Sequence, residues 1–105
     1  MTLPSKELAS VVLKKEVKVI SKDPQFDSFL TVNRKETINI YEFIHLVKEW
    51  IQGKNYMLDI SYLTNSVPRK VVLSFFGNIK KPCYVALDEI EAVIEAGEWI
   101  LKEIE

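Results

Sequence analysis

Residues 39–63 read NIYEFIHLVKEWIQGKNYMLDISYL, and within this stretch the period of the apolar residues changes. Up to Gln52 the spacing is helical: Ile40, Ile44, Val47 and Ile51 share one side, and Phe43, Leu46 and Trp50 widen it. Asn39 stands at the N-cap position, Glu42 three residues on can return a bond to its backbone N–H, and Ile38 with Phe43 makes a hydrophobic staple. Gly53 is expected to end this helix. From Tyr56 to Leu63 apolar and polar residues alternate, the pattern of a strand with one covered face. Lys70 to Phe76 is a second strand, and the turn around Asn65-Ser66-Val67-Pro68 between the two predicts a hairpin and antiparallel pairing. The expected class is therefore α+β.

Toward the C-terminus, a short strand from Cys83 to Leu87 leads into a last helix opened by Asp88, with Glu91 in the capping-box position. In that helix Glu91, Glu95, Glu98, Lys102 and Glu105 recur at spacings of four and three, so the polar residues form one narrow stripe. A helix resting on a sheet by one side needs an apolar arc of only about 100° or a little more. This one has a broader arc, so a second surface must cover it. Ile90, Ile94, Gly97, Leu101 and Ile104 follow the spacing of a helix-pairing seam. Two covers remain open from sequence: a second copy of the chain, or the N-terminal helix.

Toward the N-terminus, Pro4 suits the first turn of a helix carrying Leu8, Val12 and Val19 on one side and Ala9, Leu13, Val17 and Ile20 on another. Val17-Lys18-Val19 also alternates like a strand, which leaves residues 16–21 open between the two states. Phe26 to Val32 reads as a strand, followed by the polar loop Asn33-Arg34-Lys35. The resulting expectation is a single domain over residues 1–105, in the order α-β-α-β-β-β-α, with an antiparallel sheet of about four strands packed against helices. No repeat or Gly/Ser-rich linker divides the chain.

An apolar fraction of 48% with 28% charged residues is that of a globular domain, and 105 residues can bury a core without disulfides or a structural metal. Cys83 is the only cysteine, which excludes an intramolecular disulfide and a multi-cysteine metal site and fits a reducing cytoplasm. No apolar run approaches the roughly 20 residues that span a bilayer, and Lys14 and Lys15 close the short patch from Val11 to Leu13 too early for a signal peptide. Charge is divided unevenly. Residues 88–105 hold seven acids against Lys102 alone, a net of −6, whereas the other 87 residues hold thirteen basic and eight acidic groups, a net of +5.

Catalytic chemistry finds no support in the pattern. His45 is the only histidine, and Glu42 and Glu49 lie three before and four after it, so it reads as a solvated imidazole between carboxylates. Cys83 lacks a second imidazole as base and reads as a small buried hydrophobe. Gly53, Gly77 and Gly97 are isolated and make no phosphate loop. The expectation is a non-enzymatic protein with no metal and no cofactor.

Binding is the better-supported idea. Basic pairs stand at Arg34-Lys35, Arg69-Lys70 and Lys80-Lys81, with Lys54 before the first hairpin strand, all at or near expected loops or strand ends. If they gather along one rim of the sheet they can follow phosphates, while Phe76 and Tyr84 offer flat faces to unstacked bases. Strand alternation makes Met57, Asp59, Ser61, Val72, Ser74 and Phe76 the outward candidates, joined by Tyr84. Asp59 would stand in the middle of that platform.

Two stretches, Gly53-Lys54-Asn55-Tyr56-Met57-Leu58-Asp59-Ile60 and Lys80-Lys81-Pro82-Cys83-Tyr84-Val85-Ala86-Leu87-Asp88, give the C-terminal half three strands and a long helix. In this the chain resembles small single-stranded-DNA-binding domains, the positive cofactor four family of coactivators and the archaeal ThermoDBP-like proteins. The resemblance covers about half of the chain, carries no individual residue across, and departs from the positive-cofactor pattern at Ile40 to Gln52, where that family has another strand. It implies single-stranded nucleic acid as partner. The alternative expectation is a protein-interaction or homodimer module using the last helix.

Overall fold

The computed structural model describes residues 3–63, 70–76, 84–86 and 88–104. Helix α1 (Lys6–Leu13) is followed by strands β1 (Ile20–Lys22), β2 (Phe29–Val32) and β3 (Glu36–Asn39), then by α2 (Ile40–Gly53). Strands β4 (Met57–Leu63), β5 (Lys70–Phe76) and β6 (Tyr84–Ala86) precede α3 (Glu89–Ile104). The class is α+β with antiparallel sheets, as expected. The arrangement differs: two three-stranded sheets, β1-β2-β3 and β4-β5-β6, replace a single sheet of about four strands.

The additional strands come from segments whose composition hides them. Residues 16–19 are neither helix nor strand; β1 starts at Ile20 and pairs with β2, Ile20 opposite Val32. Glu36 to Asn39 looks like a lead into α2, yet it pairs back on β2 with Leu30 opposite Ile38, so Asn33-Arg34-Lys35 is the tip of a hairpin. The strand expected from Phe26 begins only at Phe29, because an Asp23 turn holds the preceding residues. Its Oδ1 accepts the N–H groups of Gln25 at 2.8 Å and Phe26 at 3.0 Å.

Helix ends follow local chemistry. Ser5, not Pro4, caps α1, its hydroxyl accepting the Leu8 N–H at 3.0 Å, so Pro4 lies just outside the helix. Asn39 caps α2 as expected and accepts from Tyr41 N–H at 2.8 Å. The stop of α2 is displaced from Gly53. Asn55 takes the left-handed conformation at φ 66°, the Tyr56 N–H reaches the Ile51 carbonyl at 3.3 Å, and the Asn55 N–H reaches Gln52 at 3.0 Å. This bond pair is the Schellman arrangement, with asparagine in the place that glycine most often fills. Asp88 caps α3, accepting the Glu91 N–H at 2.8 Å.

Buried residues from all three helices and both sheets form one apolar cluster, among them Leu8, Leu30, Val32, Phe43, Val47, Leu73 and Ile100. Among the described residues no polar or charged side chain is buried. Helix α3 lies over β5 and β6, and its other side packs on α2 and α1. That second contact answers the question posed by its wide apolar arc. Ile94 is 2% exposed and Leu101 6%, and a Cβ on Gly97 would stand 3.1 Å from a Val47 methyl and 3.2 Å from a Leu8 methyl. Three of the five seam residues are thus covered within the chain. Ile90 is half-buried, and Ile104 is 46% exposed. No helix among the described residues is long and apolar enough to cross a membrane.

Candidate functional site

Asn33 organises the cationic side of the molecule. It and Arg34 both have positive φ, 54° and 61°, which reverses the chain at the β2–β3 tip, where the Lys35 N–H meets the Val32 carbonyl at 3.1 Å. The Asn33 Oδ1 accepts the N–H groups of Lys18 at 2.8 Å and Val19 at 3.3 Å, and its Nδ2 donates to the Glu16 carbonyl at 3.0 Å. The irregular segment after α1 is thereby clamped beside the hairpin tip. Lys18, Arg34 and Lys35 consequently line one concavity of about 560 Å³, together with Glu16 and Glu36.

A second concavity shares no lining residue with the first. Lys15 pairs with Glu36, fixing the C-terminal end of α1 next to the start of β3. Its neighbour Lys14, the left-handed C-cap of α1 at φ 57°, lines a cleft of about 330 Å³ with Lys54, Glu49 and Trp50, floored by Val12 and Leu46. Lys14 and Lys54 therefore line one concavity and Lys18, Arg34 and Lys35 the other, with the Lys15–Glu36 pair joining chain neighbours of the two sets. Among the described ion pairs none involves these five. Glu49, the carboxylate in the cleft, has its Oε1 3.0 Å from the Nε2 of the exposed His45.

The acidic groups of α3 are engaged elsewhere. Glu98 accepts both the N–H of Ser5 at 2.9 Å and its hydroxyl at 3.0 Å, at the opposite end of α1 from Lys14. At 1.5 Å per residue, the two ends of that helix are about 13 Å apart. Glu89 pairs with Lys48 and accepts the Tyr62 hydroxyl at 3.2 Å. The Glu89 charge, with that hydrogen bond second, pushes the Tyr62 phenol above its ordinary range.

The expected site residues are only partly brought together. Arg34 and Lys35 line the first concavity and Lys54 the second. Lys70 is the register partner of Leu63, whereas Lys54 precedes Met57 at the other end of the same strand. Six strand residues separate those ends by roughly 20 Å. In register, Phe76 stands opposite Met57, which is 67% exposed, and Tyr84 stands opposite Leu73, which is fully buried; the side chains of Phe76 and Tyr84 themselves lie outside the described ones. Arg69, Lys80, Lys81 and Cys83 lie outside the described residues.

Sequence reasoning missed Lys14, Lys18 and Trp50. The Lys14-Lys15 pair is visible in the chain, but its place beside Lys54 depends on how α1 crosses α2, which no local pattern encodes. Among the described residues no group of histidine, cysteine or acidic side chains is arranged to hold a metal ion.

Fold and site together define a small α+β domain with two described concavities in which lysine and arginine side chains stand beside glutamates. Beyond that class, no family model, no curated protein and no solved structure matches the chain. The likeness to single-stranded-DNA-binding domains rests on the residues quoted above alone.

Proposed function

We propose that the protein is a non-enzymatic binding module for single-stranded nucleic acid, held along the flank from Lys54 through Lys14 and Lys18 to Arg34 and Lys35. One observation carries this reading: Lys14, Lys54 and the half-buried Trp50 line one open cleft. Ammonium groups and an indole in the same cleft suit a strand whose phosphate and base arrive together, with stacking contributing about 1–3 kcal/mol per base. A double helix offers no unstacked base to such a cleft. The single cysteine supports a cytoplasmic setting as part of the same proposal.

Fluorescence anisotropy of a labelled oligonucleotide across a salt series tests it. Five phosphate contacts at about 0.7 each predict a slope of log K on log salt near −3.5. Lys14→Glu with Lys54→Glu should weaken binding severely, and Lys70→Glu, at the far end of the hairpin, should leave it nearly unchanged. Absence of binding, binding indifferent to salt, or equal losses in the two variants would overturn the assignment.

A further inference from the structure

With most of the α3 seam covered inside the chain, the largest unpaired backbone surface among the described residues is the outer side of β4. The second sheet runs β4-β5-β6, so β4 pairs with β5 on one side and with no described strand on the other. It is seven residues long, whereas the opposite edge strand β6 has three. Long exposed edges are templates for another strand unless something blunts them. Helix α3 lies mainly over β5 and β6 and meets β4 at its far end, where Glu89 accepts the Tyr62 hydroxyl. Leu58 and Ile60 are consequently only half-buried, and Tyr62 in the same row is 60% exposed.

We infer that β4 is a self-pairing edge, taking a second copy of this chain antiparallel about a two-fold axis through Ile60, to form a continuous six-stranded sheet. The occupant follows from the strand's own sequence. An axis normal to the sheet puts like rows opposite each other, so each possible centre fixes the cross-strand pairs. A centre at Asp59 sets two carboxylates face to face, and centres at Leu58 or Ser61 shorten the ladder. The Ile60 centre pairs all seven residues. It sets Ile60 against its symmetry mate and Leu58 against Tyr62 of the other copy, so the half-covered apolar row closes on itself. Asp59 then faces Ser61 of the other copy, with no like charges opposed.

Ser61 supplies a test with opposite signs, because it is exposed on the open face and its replacement leaves the core untouched. In sedimentation velocity over a concentration series, the natural chain should show a monomer–dimer equilibrium. Ser61→Glu places two like-charge pairs across the joint and should raise the dimer Kd by about two- to thirty-fold, whereas Ser61→Lys should lower it by a similar factor. Unchanged urea midpoints for each variant at low protein concentration show that the monomer fold is intact. A natural chain that stays monomeric throughout would overturn the inference. So would two variants that shift Kd in the same direction, or not at all. The flank proposed to bind nucleic acid shares no residue with this edge, so either proposal can fail alone.

Discussion

At Gly53 the sequence carries glycine where the structure has no use for it. The residue closes α2 in helical conformation, its position is exposed, and a Cβ there would meet nothing within 4 Å. The left-handed turn falls two residues later, on Asn55. Glycine inside a helix costs about 0.5–1 kcal/mol relative to alanine. Gly53→Ala should therefore raise the urea midpoint by that amount with the slope unchanged, whereas a true glycine stop would lose stability on the same change. Asp23 offers a second single-residue test. The Gln25 N–H is the largest influence and, with the smaller ones of the Phe26 N–H and the Thr31 hydroxyl, holds its carboxyl below the ordinary value against desolvation, the second-largest influence. A depressed carboxyl stabilises the fold fully above its unfolded value, near 3.8, and loses that contribution as pH falls through the lower folded value. Asp23→Asn keeps an acceptor for the turn but cannot titrate. Its unfolding midpoint should accordingly fall less steeply than that of the natural chain below about pH 4.

Among the elements, α3 shows how a correct pattern can point to the wrong partner. Its excess apolar arc was legible, and so was the seam through Ile94, Gly97 and Leu101. Whether the seam met another copy or the same chain was not, because covering it requires α1 and α2 to arrive from residues more than forty positions away. Gly97 separates the two cases. Valine there must displace Leu8 and Val47, and overpacking of this kind costs about 1–3 kcal/mol. Gly97→Val should lower the chemical-unfolding midpoint equally at all protein concentrations; a loss confined to dilute samples would place the contact between copies. The α1–α3 junction makes a parallel prediction. Glu98→Ala removes the acceptor of two Ser5 bonds at the start of α1 and should cost about 1–3 kcal/mol, with Glu98→Gln recovering part of it. Strong local signals were readable with near-final boundaries: the α2 cap at Asn39, the α3 cap at Asp88 and strand β5. Strands β1 and β3 escaped because three or four residues of mixed polarity carry too little periodicity, and their pairing is decided by the Asn33 turn.

Over the whole molecule, the described basic groups outside the ion pairs include two sets in separate concavities, Lys18, Arg34 and Lys35 at the β2–β3 tip and Lys14 and Lys54 at the ends of α1 and α2, while the Glu98 and Glu89 carboxylates of α3 are occupied by Ser5, Lys48 and Tyr62. The outer edge of β4, which no described strand pairs, is separate from the proposed binding residues and from their chemistry, one relying on backbone pairing and the other on ionic contacts. Substitutions at sites without shared partners combine additively to within about 0.3–0.5 kcal/mol, roughly a factor of two in an equilibrium constant. Ser61→Glu should therefore change oligonucleotide affinity per protomer by no more than about that factor, and Lys14→Glu with Lys54→Glu should leave the sedimentation equilibrium equally untouched. If the Ser61 and Lys54 changes instead proved strongly coupled in the combined variant, the strand would have to cross the joint. Binding and self-pairing would then be one event, and the oligonucleotide would raise the dimer fraction in direct proportion to its occupancy.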